Sequence, residues 1–348
     1  MTAGRFRGSA AVWVVLLAYA SLYPFVPLHG TTAEAAAAAL ERPHHFATFD
    51  FVANVLAYVP FGILACLHFR QMGRSYPAVR AVAVGAAFSV AMETLQLFIP
   101  GRISSIYDVL ANSCGAALGT LVFADPFYSL VALPLARRRE ALVIPGAWGD
   151  AGLVLVVLWA MAQVNPALPF FGAGNIQVSD LDTRDLAILQ AASVAMGISG
   201  FGLFVSTLLQ REAGTLRATL VLLSVALWLK FTAASVMLQP HFAEDWLSVA
   251  RIAGLVGGLA LLVPTRRFPR MGRIYLALML VLAGALTSKI AGAYAGTDEL
   301  LRVFRWPYGQ LANFATLTRF LHELWPLLAV VFLVALFLHS RRAVESPP

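Results

Sequence analysis

Residues 51–69 read FVANVLAYVPFGILACLHF, a stretch without aspartate, glutamate, lysine or arginine. A helix needs about 20 mostly apolar residues to cross the hydrocarbon core, within a range of about 17–25. This run therefore reads as a spanning helix. The same reading finds nine further windows: Ala10–Leu28, Ala81–Ile99, Val109–Phe123, Ala151–Leu168, Leu186–Leu209, Ala218–Leu238, Ser248–Val263, Ile274–Tyr294 and Leu324–His339. Val109–Phe123 and Ser248–Val263 are short, and would stand less tilted, gain polar ends or be partly re-entrant. The expected fold class is all-α: a polytopic integral membrane helix bundle of about ten transmembrane helices.

Composition points the same way. Of 348 residues, 59% are hydrophobic and 12% charged, against about 25% charged in soluble domains. The net charge of +7 does not mark a nucleic-acid binder. Its arginines lie in short loops between apolar runs, as in Arg137–Arg139 and Arg266–Arg267, with no basic face interleaved with aromatics. Cys66 and Cys114 fall inside apolar stretches, where a thiol acts as a small hydrophobe. No metal or cofactor is expected.

The arginines orient the bundle. With the N-terminus inside, cytosolic segments hold Arg5, Arg7, Arg70, Arg74, Arg80, Arg137–Arg139, Arg211, Arg217, Arg266, Arg267, Arg270, Arg273, Arg341 and Arg342. Outer segments hold Arg42, Arg102, Arg184, Arg302, Arg305 and Arg319, together with acids such as Asp180, Asp182, Asp185, Asp298 and Glu299. This is the positive-inside pattern, and it puts both termini in the cytoplasm. Arg5, Arg7 and Ala18-Tyr19-Ala20 also resemble a cleavable signal peptide. The apolar run continues through Leu22, Pro24 and Phe25 without a polar break, which favours a retained helix.

The expected organisation is a four-helix membrane domain over 1–125, a cytosolic linker over 126–149 rich in proline and arginine, and a six-helix membrane domain of unknown type over 150–348.

The second and fourth windows open with one word, Asp50-Phe-Val-Ala-Asn54 and Asp108-Val-Leu-Ala-Asn112. Asp and Asn four apart share a helix face. The third window ends with Glu93 and Gln96, also on one face, followed by the turn Pro100-Gly101-Arg102. Asp50, Asn54, Glu93, Gln96, Arg102, Asp108 and Asn112 are expected to cluster at the outer face as candidate ligand-binding residues. Structural readings compete. Asp50 and Asp108 can cap helix N-termini, the asparagines can join helices, and Ala111, Gly115 and Gly119 form a packing stripe. Glu93, ionisable in an apolar helix, is a functional candidate by default. Arg102 is its natural ion-pair partner, whether for function or for structure alone.

These residues resemble the VanZ-like membrane family over about 10–125. The carriers are Asp50, Asn54, Pro60 and Gly62, then Glu93-x-x-Gln96, Pro100-Gly101-Arg102, Asp108-x-x-x-Asn112 and Gly115-x-x-x-Gly119. His45-Phe46 and Phe49 also look like that family's lead into the helix, with Glu41-Arg42-Pro43 replacing its usual acidic-basic pair. The resemblance implies a small multi-helix membrane protein of a bacterial inner membrane, linked by its name to teicoplanin resistance and without an established biochemical activity. The six-helix second block departs from that pattern.

No family is read in that block. Its singular feature is the chain's two lysines, Lys230 and Lys289, both inside apolar helices. Lys289 fits snorkelling to the interface; Lys230, nearer mid-helix, fits it less well and is the better candidate intramembrane polar site. Asn165-Pro166, His241 with Glu244 and Asp245, and His322-Glu323 lie in outer loops without ligand spacing for a metal. Trp306, Tyr308 and Trp325 read as an interfacial belt.

Three functions remain open. One is binding or handling of a polar-headgroup envelope lipid or lipid-linked cell-wall precursor. The second is a transporter using Glu93 and Lys230. The third is an intramembrane enzyme on lipid-linked substrates, with Glu93 or Asp108 and Arg102 serving; no nucleophile or metal motif supports it, and no catalytic residue is assigned. Membrane lipids are the expected partners, nucleic acid is not, and the sequence leaves ligand and oligomeric state open.

Overall fold

The computed structural model describes residues 7–23, 25, 30, 37, 39, 48–100, 102, 104–124, 127–168, 183–239, 248–290, 304–305 and 310–345. Its helices are α1 (Arg7–Leu22), α2 (Thr48–Gln71), α3 (Pro77–Gln96), α4 (Ile106–Thr120), α5 (Leu133–Leu142), α6 (Ala147–Gln163), α7 (Thr183–Leu208), α8 (Thr215–Met237), α9 (Val249–Thr265), α10 (Arg270–Ile290) and α11 (Gln310–Glu345). Beyond helices, the described residues hold only isolated bridges, Val143 with Leu209 and Leu238 with Phe304.

The chain is an integral membrane protein. Among the described residues, seven helical stretches are long and apolar enough to cross a membrane: Asp50–Gln71, Pro77–Gln96, Ile106–Phe123, Arg184–Leu208, Glu212–Met237, Arg270–Ile290 and Phe314–Arg342. Shorter apolar helices cover Ala10–Leu22, Ala147–Gln163 and Val249–Thr265. Each expected window thus overlaps a helix among the described residues. α11 begins at Gln310, well before the expected Leu324, because Asn313, Thr318, Arg319 and His322 depress the hydropathy of its first turns without breaking the helix.

Helix ends follow local chemistry. α2 closes with Gly73 at φ 63°, where Gly73 N–H bonds the Arg70 carbonyl and Arg74 N–H bonds that of Phe69. This paired pattern is the Schellman stop, which needs a residue that tolerates left-handed backbone. α3 restarts at Pro77, whose fixed φ suits the first helical position.

Two compact units divide the chain, 1–139 with 309–313, and 140–308 with 314–348. In the first, α2 and α4 pack backbone to backbone. A methyl group on Gly62 would overlap the Ala116 carbonyl, and one on Gly115 or Gly119 the carbonyl of Val55 or Val59. Small residues let helices approach this closely in lipid, where dispersion and hydrogen bonds drive association. α1 lies against α2 through Leu17, Tyr58 and Phe61, and Trp13 Nε1 donates to the Ala57 carbonyl at 3.0 Å.

In the second unit α7 is the most enclosed spanning helix. Gly254 and Gly258 of α9 meet the carbonyls of Ala191 and Ala195 on α7, and Ser199 Oγ donates to the Gly258 carbonyl at 2.8 Å. On another side, Trp159 stacks on Phe201 with ring centroids 4.0 Å apart, and Trp325 Nε1 donates to the Leu155 carbonyl at 2.8 Å.

Candidate functional site

The described members of the predicted polar set gather at one end of the first unit. α2 contributes Asp50 and Asn54 from its first two turns, α3 contributes Glu93 and Gln96 from its last, and α4 contributes Asp108 and Asn112. Asn54 Nδ2 donates to Asp108 Oδ1 at 2.8 Å, so the two repeated words face each other across the α2–α4 contact. One turn deeper, Asn112 Nδ2 donates to Ser89 Oγ at 2.8 Å, tying α4 to α3. Tyr58, also buried, directs its hydroxyl at Ser89 without a well-formed hydrogen bond.

Glu93 departs from the expected pairing. Its Oε2 accepts from the backbone N–H of Ser105 at 2.9 Å, and Ser104 lies within hydrogen-bonding reach. No contact ion pair joins it to Arg102. That guanidinium instead donates from Nε to the Tyr23 carbonyl at 3.0 Å, and from Nη2 to the carbonyls of Tyr23 at 2.6 Å and Ala20 at 2.9 Å. Gln96 Nε2 adds a bond to the Ser21 carbonyl at 2.9 Å. Both side chains thus cap the last carbonyls of α1, which have no partner within their own helix. Burial draws the Arg102 pKa below its ordinary value, and Glu93 acts in the opposite sense.

Asp108 is not the N-cap of α4 either. Ser105 holds that position, its hydroxyl accepting from Tyr107 N–H at 3.2 Å. The word Ser105-x-x-Asp108 has capping-box spacing, in which the acid would turn back to the cap's own N–H. Here Glu93 of α3 takes that N–H, and Asp108 is released to Asn54. The word was visible in sequence and is the signal that could have found Ser105. Ser89 was findable too, one turn before Glu93 on the same face.

Arg102 is one of a series. Arg70 Nη1 reaches the Phe123 carbonyl after α4, at 3.3 Å. Lys230 Nζ reaches the Asn165 carbonyl just past α6, at 2.8 Å. Arg273 Nη1 reaches the Ser206 carbonyl in the last turn of α7, at 3.4 Å. Arg305 Nε reaches the Leu238 carbonyl after α8, at 2.7 Å. A cation at a helix C-terminus complements the negative end of the dipole, and in a bilayer no water substitutes for it.

Lys230 is therefore a buried cap, 1% exposed, with Arg251 the charged neighbour it feels. Around it the second unit buries a polar track. Asn165 Nδ2 donates to Thr318 Oγ1 at 2.9 Å. Gln163 and His322 line a cavity of about 30 Å³ with Trp159 and Trp325, and Gln163 Oε1 has no hydrogen-bond partner. That volume holds about two water molecules. Sequence reading named Asn165 and His322 as loop residues and missed Gln163 and Thr318. Lys289 is exposed in the last turn of α10 and joins no such group.

Among the described residues, no three histidines, cysteines or acids group as metal ligands. Arg42, His45, Phe46, Gly101, Asp180, Asp182, His241, Glu244, Asp245, Asp298, Glu299, Arg302, Trp306 and Tyr308 lie outside the described residues.

Comparison with known proteins gives one finding. The family model described as VanZ/LLP1 matches residues 6–131, the N-terminal third of the chain. No curated protein matches, and no solved structure matches.

Proposed function

We propose, taking residues 6–131 as a VanZ-like membrane domain, that this domain binds or handles the polar head of an envelope amphiphile, either a lipid or a lipid-linked cell-wall precursor. The observation that carries the reading is the Asn54–Asp108 bond. It draws two repeated polar words together at the end where Glu93 is buried, beyond the close glycine contacts of α2 and α4. Buried ionisable groups in a membrane segment are costly and mark binding or transfer sites more often than packing.

On the arginine distribution this end faces away from the cytosol, with both termini on the cytosolic side of a bacterial inner membrane. An outward site suits a headgroup exposed on the outer leaflet. The link to teicoplanin belongs to the same reading: a protein that holds a cell-wall precursor changes how much of it a glycopeptide can reach. The role of the second unit is open within this reading.

The test is lipid mass spectrometry of the full chain purified in native membrane particles. A defined polar lipid or precursor is expected to co-purify with the wild type and to be lost in Glu93→Gln at unchanged protein yield. Absence of any co-purifying polar lipid overturns the reading. For the resistance link, expression of the wild type, and not of Glu93→Gln, raises the teicoplanin concentration that inhibits growth; an unchanged value removes that part.

A further inference from the structure

The cavity of about 30 Å³ in the second unit lies where α6, α7, α10 and α11 meet. α6 lines it with Trp159 and Gln163, α7 with Gly197, α10 with Gly284, and α11 with His322 and Trp325. Gln163 is 1% exposed, and its Oε1 accepts no hydrogen bond. Trp159 stands one turn earlier on the same face of α6, and an indole N–H can only donate. No direct bond joins that N–H to the Gln163 oxygen. Trp325 does not serve it either, because its own N–H goes to the Leu155 carbonyl at 2.8 Å. A strong acceptor is thus held against a void in a membrane span, where lipid offers no donor.

A second observation comes from the opposite wall. Pro326 sits inside α11 and also borders the cavity. Proline has no N–H, so it cannot serve the carbonyl four residues before it, that of His322. Ordered water is one of the devices by which membrane helices meet a carbonyl released in this way.

Size and charge select the occupant. The volume admits about two water molecules and no lipid head or sugar. A hydrocarbon tail would leave the Gln163 oxygen bare. An anion would bring acceptors to an acceptor. For a cation, no carboxylate lines the cavity. Positive charge is already present on the adjoining track, where the Lys230 ammonium holds the carbonyl of Asn165, two residues past Gln163. Water both donates and accepts, and a buried water needs two to four polar partners. The Gln163 amide, the Trp159 indole and the His322 imidazole supply that number of groups.

We propose that this cavity is an internal water site of the second unit, with water donating to Gln163 Oε1 and bridging it to Trp159 and His322. Lys230 is occupied as a helix cap. Water at Gln163, and not that ammonium, is then the exchangeable polar group of this unit. The site is independent of the headgroup reading for the first unit.

The experiment is X-ray radiolytic labelling of the full chain in lipid nanodiscs, read by mass spectrometry. Hydroxyl radicals formed from bound water react where that water sits. The internal control is Trp228, mid-way along α8 and turned outward, 65% exposed. Trp159 is expected to label about tenfold faster than Trp228, as a residue beside buried water. Labelling of Trp159 no faster than Trp228 shows a dry cavity and overturns the proposal. Gln163→Leu removes the acceptor and is expected to bring Trp159 down to the Trp228 rate; an unchanged rate shows that Gln163 holds no water and also overturns it. A density map that resolves ordered water should show one or two peaks, the first within hydrogen-bonding distance of Gln163 Oε1. An empty cavity, or a Gln163 side chain turned onto a protein donor, counts against the site. The wild-type comparison needs no variant, so poor folding of Gln163→Leu leaves the question decidable.

Discussion

Asn54 and Asp108 stand 54 residues apart and share one hydrogen bond, 2.8 Å from amide nitrogen to carboxylate oxygen. The bond sits where α2 and α4 begin, at the same end of the pair whose glycine contacts lie further along. Interhelical hydrogen bonds in membranes average about 0.6 kcal/mol, with measured values reaching about 1.7 kcal/mol. Asn54→Ala should therefore cost about 1 kcal/mol, more if Asp108 is left buried without a donor. Thermal melts of Asn54→Ala, Asp108→Ala and the double variant should give a coupling energy of about 0.5 kcal/mol or more. Strict additivity would mean that the bond contributes nothing.

The glycine contacts beneath that bond are less forgiving. Gly119 faces the Val59 carbonyl so closely that even a methyl group overlaps backbone. Backbone cannot rotate away as a side chain can. Gly119→Ala is expected to destabilise the first unit by about 1–3 kcal/mol. Gly257 is the control, since a Cβ there would find Ala195 Cβ at 3.8 Å, an ordinary contact. Equal melting temperatures for Gly119→Ala and Gly257→Ala would contradict the packing described.

Much of this was legible in sequence, and the physical reason is simple. Spanning helices and glycine stripes are properties of side chains in order, so Asp50–Asn54, Glu93–Gln96 and Gly115–Gly119 announce themselves. Partners were harder. A charge list pairs Glu93 with Arg102, yet each found backbone: Glu93 the N–H of Ser105, Arg102 the carbonyls that end α1. Helix ends in a bilayer leave strong donors and acceptors that no hydropathy window counts. The same blind spot hid the early start of α11 and the track from Asn165 to Thr318.

Arg102 tests the capping account directly. Its fork serves two carbonyls at once, from Nε and Nη2. Lysine keeps the charge but lacks the planar fork. Arg102→Lys should lose about 1.5–3 kcal/mol, the range for hydrogen bonds to charged groups, and Arg102→Ala more. If lysine proves as stable as arginine, charge near the helix end is sufficient and the fork is incidental.

Orientation can be read by labelling. In a Cys66→Ala, Cys114→Ala background, a cysteine placed at Arg138 should react with an impermeant maleimide only after the inner face is opened. One placed at the exposed Pro100 should react in intact cells. The arginine excess near Arg137–Arg139 is the basis. The reverse pattern would move the Glu93 end to the cytosolic side.

Lys230 brings two opposing effects together. Removing its ammonium deletes a buried charge, which by itself relieves a desolvation cost. It also strips the Asn165 carbonyl of its donor at 2.8 Å, a loss of about 1–3 kcal/mol for a buried acceptor. Glutamine separates the effects, since it can donate without carrying charge. If capping dominates, Lys230→Met melts lower than wild type and Lys230→Gln recovers most of the difference. Lys289→Met, at an exposed position, should stay within about 0.5 kcal/mol of wild type. A Lys230→Met protein as stable as the wild type, or more so, would show that the charge is a burden carried for another reason, and the buried track around Gln163 and His322 would be the place to look for it.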